Sequence, residues 1–238
     1  MSMNTGPNCW NVTPAEAVQI QKEIRSQIVL QKAPAPIRFI AGCDLALDVG
    51  TETAFAGAIV YRFPELQEVE RVSHTQRVTF PYVPGLLSFR EAPILLNLLA
   101  KLKTEPDVYC FDGHGIAHPR RLGIASHMGL CLNKPTVGFG KSRLCGSYRE
   151  PGPKAGNVEK LQDSGEQIGW VLRLRDKVNP VFVSPGHLMD LESALSLAIA
   201  CGDGFRVPKP TREADRYVAL VKKEMMGAGK EEKLLRLE

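Results

Sequence analysis

Two aspartates of the chain each end a short apolar run. Asp44 ends the run FIAGCD (residues 39–44), and Asp112 ends the run DVYCFD (residues 107–112). In an open α/β sheet, ligands gather at the carboxyl ends of the strands, so neighbouring strands would bring these two carboxylates together. Carboxylate oxygens suit Mg²⁺ or Mn²⁺, and such ions promote the attack of water on a phosphodiester. Both aspartates could instead belong to ordinary turns or helix caps, and this pattern alone does not separate the two interpretations.

The elements around these acids predict an α/β fold with a mixed sheet. A capping box from Thr13 to Glu16 starts a helix that should end before the Pro-rich turn at 33–36. Three strand-like runs follow in close succession, which favours an antiparallel meander. Helices then alternate with further strands, while the polar segment 151–165 predicts an exposed loop or hairpin. The predicted strands cover residues 39–44, 55–63, 68–80, 107–112, 136–141, 170–175 and 180–184, and the later helices cover the second half of 81–102, 118–132 and 191–201.

The bulk properties predict one globular domain over residues 1–238, with a tail after about residue 217 that is a frayed helix or flexible. Hydrophobic residues make up 44% of the chain and charged residues 24%, an ordinary globular balance. The chain has neither an apolar run long enough to cross a bilayer nor a signal-peptide pattern, so we expect a cytoplasmic protein without a membrane partner. Its six cysteines contain no CxxC pair, which argues against a zinc site or a disulfide framework.

The positive charge of the chain is unevenly distributed. The formal net charge is +4, but residues 113–149 contain no acidic residue at all. A segment of one sign raises the local potential and attracts phosphates. A solvated basic surface without a ligand would give the same pattern. The basic residues of this segment are Arg120, Arg121, Lys134, Lys141, Arg143 and Arg149.

Six long, irregular strings cover most of the chain: IAGCDLA (40–46), FPYVPGLLSFRE (80–91), FDGHGIAHPRRLGIASHMGL (111–130), PTVGFGKSRLCG (135–146), VSPGHLMDLESAL (183–195) and PKPTREAD (208–215). In this order they resemble the motifs of the endonuclease V family, whose members cut nucleic acid beside deaminated purines. One departure is Phe139, in VGFGK, where many relatives have VGVAK, so packing near Lys141 could differ.

The resemblance implies an RNase H-like fold, with a mixed five-stranded sheet whose first three strands are antiparallel and whose faces are covered by helices. It implies that Asp44, Glu91 and Asp112 are catalytic carboxylates that hold Mg²⁺, with Mn²⁺ as a substitute. Asp215 matches a fourth catalytic position, and Lys141 matches a lysine beside the scissile phosphate. Without the resemblance, Glu91 would be an ordinary residue of a first helical turn.

The resemblance also implies a nucleic-acid interface. The PYVP string matches a wedge that separates strands, and Tyr82 offers a flat ring for stacking on a base. Glycines of this loop and of the Asp112 loop would let the backbone approach a flipped base. The roles of His118, His127 and His187 stay open between ligand contact and local packing. The predicted nucleic-acid contacts are Pro81, Tyr82, Val83, Pro84, Gly85, Gly113, His114, Gly115, His118, Arg120, Arg121 and Lys141.

The expected activity is hydrolysis of the second phosphodiester bond 3′ to hypoxanthine in DNA, which leaves a 3′-hydroxyl and a 5′-phosphate and initiates repair. The expected partner is damaged DNA, bound by a monomer. The sequence leaves open an endoribonuclease specific for inosine-containing RNA. A non-catalytic nucleic-acid binder on the same fold would lack some of the three carboxylates, and another RNase H-like nuclease would lack the wedge and the DGHG loop.

Overall fold

A mixed sheet of eight strands forms the centre of the computed structural model, which describes residues 10–235 and side chains up to residue 227. In space the strands follow the order β3-β2-β1-β4-β5-β8-β7-β6. Strands β1 to β3 form the predicted antiparallel meander, β4 and β5 add in parallel, and the remaining three are antiparallel. The strands are β1 (Phe39–Asp48), β2 (Thr53–Arg62), β3 (Gln67–Arg77), β4 (Val108–Asp112), β5 (Thr136–Gly140), β6 (Val158–Asp163), β7 (Glu166–Leu172) and β8 (Val181–Pro185).

The expectation of a five-stranded sheet is wrong, because the sheet continues beyond β5 over β8, β7 and β6. The extra edge strand β6 reads VEKLQD, and only Leu161 in it is fully buried. It pairs with β7 as a hairpin in register from Val158↔Leu172 to Asp163↔Glu166. An edge strand that is solvated along most of its length lacks the apolar run that marks a central strand.

Within residues 10–235, five α-helices flank the sheet, and the first begins as the sequence predicts. Thr13 and Glu16 form the reciprocal capping box, with Pro14 in the first turn. The third helix begins at Ile124 and not at His118, because residues 118–123 form turns, with Arg121 at a φ of 59°. The tail is helical through Leu235. The helices are α1 (Pro14–Ile24), α2 (Leu87–Leu99), α3 (Ile124–Leu132), α4 (Leu191–Ala200) and α5 (Lys209–Leu235).

Apolar side chains fill both faces of the sheet. Of three clusters among the described residues, one includes Phe89 and Leu98 of α2 and Met128 of α3, and a second includes Leu197 of α4. Phe139 is completely buried in the second cluster, so the departure from the family motif is accommodated within the core. No helix in the described part of the chain is long and apolar enough to span a membrane.

A glycine in β1 positions the last helix over the sheet. A side chain at Gly42 would place its Cβ 2.0 Å from the carbonyl oxygen of Pro210. Only a residue without a Cβ lets the first turn of α5 approach the strand this closely. This contact lies two residues before Asp44 and five residues before Asp215, so it draws the two acids toward one end of the sheet.

Candidate active site and nucleic-acid interface

Asp44 and Asp112 lie on neighbouring parallel strands. Strand β1 pairs with β4 in the register Cys43↔Phe111, so the two aspartates, each the next residue on its strand, lie side by side. Asp112 ends β4, but the prediction that Asp44 ends its strand is wrong, because β1 continues to pair with β2 as far as Asp48. Strand β5 pairs in parallel with β4 and ends at Gly140, which brings Lys141 to the same end of the sheet. The convergence that the sequence predicts for neighbouring strands is therefore present.

Lys141 joins two of the predicted catalytic acids. Its Nζ lies 2.6 Å from Oδ2 of Asp112 and 3.0 Å from Oδ2 of Asp215. Burial acts against the ammonium group, but the bonds to Asp112 and Asp215 outweigh it and raise the pKa of Lys141. The lysine is therefore charged and held between an acid of β4 and an acid of α5.

The remaining two acids carry strongly perturbed pKa values. Burial, followed by repulsion from Asp112, raises the pKa of Asp44 to about 7. Burial, followed by repulsion from Asp44 and Asp112, raises the pKa of Glu91 to about 8. Glu91 reaches this cluster from the first half of α2. The mutual repulsion among these acids indicates that the carboxylates of β1, α2 and β4 lie near one another.

The chemistry of this donor set fits a hard divalent cation. Three carboxylates repel one another in a partly buried site, and a bound cation would relieve that repulsion. Lys141 already offsets part of the charge from one side. Among the residues that the structure describes, no three His, Cys, Asp or Glu side chains stand together as a ready-made metal site. The acids therefore share a location without a closed ligand geometry.

A cavity of about 230 Å³ is lined in part by Gly113, the residue that follows Asp112. Its walls include the end of the PYVP string and the loop that follows Asp112, with Gly85 at a φ of 78° and Gly113 at a φ of 144°. Tyr82 lies at its margin and is 72% exposed, which leaves its ring free for contact with a ligand. Seven of the predicted contact residues line this pocket: Tyr82, Val83, Pro84, Gly85, Gly113, His114 and His118.

The carbonyl oxygen of Gly85 holds in place the loop of residues 81–85, which carries the PYVP string and which we call the wedge loop after its predicted role. It accepts hydrogen bonds from Nη2 of Arg120 at 2.7 Å, Nε2 of Gln21 at 3.1 Å and Nε2 of His118 at 3.1 Å. Since Nδ1 of His118 accepts from the Arg120 backbone N–H, the proton of this histidine belongs on Nε2. Burial, together with the Arg120 charge, lowers the pKa of His118 to about 4. His118 is therefore a neutral residue of the pocket wall.

Gln21 is a site residue that the sequence reasoning missed. Its side chain is 1% exposed, donates to the carbonyl oxygens of Gly85 and Leu122, and accepts a bond from Nε of Arg120. It lies on the buried face of α1 with Ala17 and Ile24. A glutamine at an apolar position of an amphipathic helix is a signal that could have found it, because a buried amide needs partners.

The two adjacent arginines bind protein groups. Arg121 donates to Asp163 at 2.9 Å and to Glu166 at 2.8 Å, both in the β6–β7 hairpin. Arg120 is bound to Gln21 and Gly85. The guanidinium of Arg121 is therefore neutralised, whereas Arg120 is held by uncharged oxygens.

Three other predicted residues lie outside the pocket wall. Gly115 packs on β8, because its N–H donates to Oγ of Ser184 at 2.7 Å and a Cβ would lie 1.9 Å from the carbonyl oxygen of Pro185. His127 is buried and bonds to Oγ of Ser88 at 2.9 Å. Nδ1 of His187 accepts from the Val29 N–H at 3.2 Å. The two histidines pack locally, which is one of the alternatives that the sequence left open.

The family profile described as Endonuclease V matches residues 22–216 of the chain.

The chain belongs to the endonuclease V family.

Relatives and solved structures agree with this assignment. The chain is 43% identical to the endonuclease V of Gloeobacter violaceus, over 90% of this chain and 88% of that protein. The crystal structure of Streptomyces avermitilis endonuclease V superposes with a TM-score of 0.87 at 37% identity, covering 92% of this chain and 97% of the other. Endonuclease V of Ciona intestinalis, in complex with a 23-mer DNA containing an inosine followed by a ribo-adenosine, superposes with a TM-score of 0.79 at 28% identity, covering 90% and 100%.

Family membership confirms the RNase H-like class of the fold and the assignment of the chain as a nuclease. For an endonuclease V, the arrangement described above is chemically coherent. A cluster of acids with one lysine adjoins a pocket large enough for a flat ligand, and an exposed aromatic ring stands at the rim. The individual roles of these residues stay predictions.

Proposed function

We propose that this protein is a metal-dependent endonuclease that recognises hypoxanthine in DNA and initiates its repair. It hydrolyses the second phosphodiester bond 3′ to the lesion and leaves a 3′-hydroxyl and a 5′-phosphate. The observation that carries the proposal is the continuity of Asp112 with Gly113: one residue belongs to the charged cluster and the next lines the pocket. A base held in this pocket would place its neighbouring phosphates beside the acids and Lys141.

Asp44, Glu91 and Asp112 are the residues that would hold Mg²⁺, or Mn²⁺ as a substitute. When bound, such an ion activates water and stabilises the leaving oxygen of a phosphodiester. Lys141 contributes a positive charge where negative charge builds on the phosphate in the transition state. Asp112 and Asp215 keep the lysine at this position through their bonds to Nζ.

The pocket recognises the base mainly through shape and backbone groups. The positive φ values of Gly85 and Gly113 are conformations that residues with a Cβ rarely adopt, and they let backbone atoms form the wall. Backbone N–H groups there would bond the O6 and N7 acceptors of hypoxanthine. The Ciona intestinalis relative forms a complex with DNA that contains an inosine, which supports hypoxanthine as the base that this protein recognises.

The wedge loop opens the duplex beside the lesion. Pro81 and Pro84 stiffen the segment, and Tyr82 between them is exposed and able to stack on a base. Arg120 and Arg121 support the interface from behind, through Gly85 and the β6–β7 hairpin, and do not need to contact phosphates themselves. A monomeric state and a cytoplasmic location stay predictions.

The test is a set of paired cleavage assays on strands of the same base sequence, which differ in the purine at one position and, for the RNA strand, also in the sugar. Deoxyinosine DNA, inosine RNA and undamaged DNA are each incubated with Mg²⁺, with Mn²⁺ and with EDTA. We expect cutting of the deoxyinosine strand at the second bond 3′ to the lesion, in either metal and not in EDTA. End groups are checked by ligation and by phosphatase treatment.

The matched variant is Asp112→Asn, which preserves the shape of the side chain but removes its charge. Cleavage should be lost while affinity for the deoxyinosine strand, measured in EDTA, is largely kept, because the base pocket is separate. Normal cleavage by this variant would overturn the metal assignment. Faster cutting of inosine RNA than of deoxyinosine DNA would select the endoribonuclease alternative.

A further inference from the structure

A second cavity lies along the same edge of the sheet, beyond Lys141. Strand β8 runs antiparallel to β5 in the register Gly140↔Phe182, so β8 begins beside the residue that follows β5. An open cleft of about 670 Å³ lies at this end of the two paired strands, lined by residues that follow β5 and by residues at the start of β8. We call it the β5–β8 cleft, and the residues that matter below are Lys141, Arg143, Tyr148, Glu150, Phe182 and Arg206.

The cleft and the base pocket share one wall. Ser142 and Arg143 line both cavities. Lys141, which contacts Asp112 in the catalytic cluster, also lines the cleft. The segment 141–143 therefore separates the two cavities, and the cleft opens on the side of Lys141 away from the base pocket.

The cleft carries positive charge that no acid of the described chain neutralises. Arg206 donates to the carbonyl oxygens of Lys141, Asn179 and Pro180, and Arg143 donates to that of Gly146. These acceptors are uncharged, so both guanidinium groups keep their net charge. Glu150, an acid of the lining, is already paired with Arg173 at 2.7 Å. The net positive charge of this surface favours binding of a nucleic-acid phosphate backbone.

An aromatic ring lies among these charges. Tyr148 packs edge-to-face on Phe182, with ring centroids 5.4 Å apart and an interplanar angle of 77°. The guanidinium of Arg143 lies 5.9 Å from the centroid of Tyr148. A cationic groove with a partly exposed aromatic ring is the combination that single-stranded nucleic acid prefers, because the phosphates bind the cations and a base stacks on the ring.

We propose that the β5–β8 cleft binds the nucleic-acid strand that continues beyond the cut, on the side away from the base pocket. Arg143 and Arg206 bind its phosphates, and Tyr148 stacks on a base or sugar of this flank without reading the sequence. The proposal rests on the proposed function, since it takes the catalytic cluster as the place of the cut. It adds a binding site for the 3′ flank to a protein whose lesion pocket lies elsewhere.

The experiment compares two deoxyinosine single strands that differ only in the 3′ flank. One strand ends at the bond to be cut, and the other continues by about six nucleotides, a length typical of one single-strand site. Affinity is measured in EDTA across a salt series for the wild type, Arg143→Gln, Tyr148→Leu and Tyr148→Phe. The matched control is Arg175→Gln, which removes an exposed arginine that lines neither cavity.

The wild type should bind the long strand about tenfold more tightly than the short one. Arg143→Gln should remove most of this advantage and reduce the salt slope by about one unit. Tyr148→Leu should reduce the advantage about fivefold or more, Tyr148→Phe should preserve it, and Arg175→Gln should leave both affinities unchanged. On the short strand, the two Tyr148 variants and Arg175→Gln should bind as the wild type does, and Arg143→Gln should lose less affinity than it loses on the long strand.

Two results would overturn the proposal. One is a wild type that binds both strands equally. The other is an Arg143→Gln variant that loses the same affinity on both strands, because the arginine would then act through the base pocket that it also lines. If the long strand is bound more tightly than the short one, but deoxyinosine is bound no better than deoxyadenosine in the same strand, the proposed role of the cleft is kept and the proposed lesion specificity is wrong. If Tyr148→Leu unfolds, the comparison of Arg143→Gln with Arg175→Gln decides.

Discussion

At the scale of single residues, Lys141 connects most features of the site. It follows β5, contacts acids from β4 and α5, and lines the β5–β8 cleft. The two carboxylates keep its ammonium group charged and limit the positions it can adopt. A charge fixed in advance where charge develops in the transition state lowers the barrier, because no reorganisation is needed during the reaction.

Substitution of Lys141 by methionine should therefore lower turnover more than binding. We expect single-turnover cleavage to fall on the order of a hundredfold or more, the usual effect of removing one preorganised group of this kind. Affinity for the deoxyinosine strand should fall less than about tenfold, as for one lost phosphate contact. Rapid-quench cleavage and equilibrium binding separate the two quantities.

Lys134→Met provides the control for this substitution. Lys134 belongs to the same acid-free segment, but its ammonium group pairs with Glu105 away from the site. Its loss should change neither quantity appreciably. If Lys141→Met weakens binding and leaves turnover intact, the lysine does not act at the reaction centre.

At the scale of elements, the wedge loop depends on contacts that come from two distant parts of the chain. Gly85 is held by Gln21 of α1 and by His118 and Arg120 of the turns before α3. These bonds fix the end of the loop, while Tyr82 near its start is largely exposed. A rigid base with a projecting ring suits insertion between paired strands, since the ring needs no reorganisation before it stacks.

Tyr82→Ala should weaken binding to duplex DNA that contains deoxyinosine. The expected loss is about 1–3 kcal/mol, the usual contribution of one base stacked on an aromatic side chain. The loss should be smaller when the lesion lies in a single strand, where no separation of strands is required. Tyr82→Phe retains the ring and should bind both substrates as the wild type does. Equal losses by Tyr82→Ala on the two substrates would contradict a role in strand separation.

The elements also show what sequence reasoning can and cannot reach. Strand β4 was predictable because a continuous apolar run marks a strand buried on both faces. Strand β6 was not, because its edge position leaves most of its side chains solvated. The start of α3 was misplaced because Pro119 suits a first helical turn. The bonds that hold residues 118–121 to Gly85 and to the β6–β7 hairpin come from distant parts of the chain.

At the scale of the whole molecule, buried histidines and buried acids make opposite contributions to the pH dependence of stability. Burial lowers the pKa of His127 to about 4, so the unfolded chain binds a proton more readily than the folded one below about pH 6.5. The contribution of neutral His127 to the free energy of unfolding is fully present above that pH and is lost as the pH falls toward 4. Asp44 and Glu91 have raised pKa values, so their contributions instead grow as the pH falls from 7. The pH dependence of the free energy of unfolding therefore does not report on any one of these groups.

The contribution of His127 is isolated by comparing the unfolding free energies of the wild type and a variant that lacks this histidine. His127 contacts Oγ of Ser88 and lies against the rings of Trp10 and Phe89, where a charged imidazole would lack compensation. From the two pKa values, the wild type should lose about 2 kcal/mol through this residue between pH 7 and pH 5. His127→Gln has no titrating group there, so its unfolding free energy should fall by about that much less over the same interval. Urea unfolding of both proteins at each pH measures this difference, in which the contributions of the acids common to both proteins cancel. Parallel pH profiles would show that the imidazole is accommodated in its charged form, by rotation toward solvent or by local opening of the α2–α3 contact.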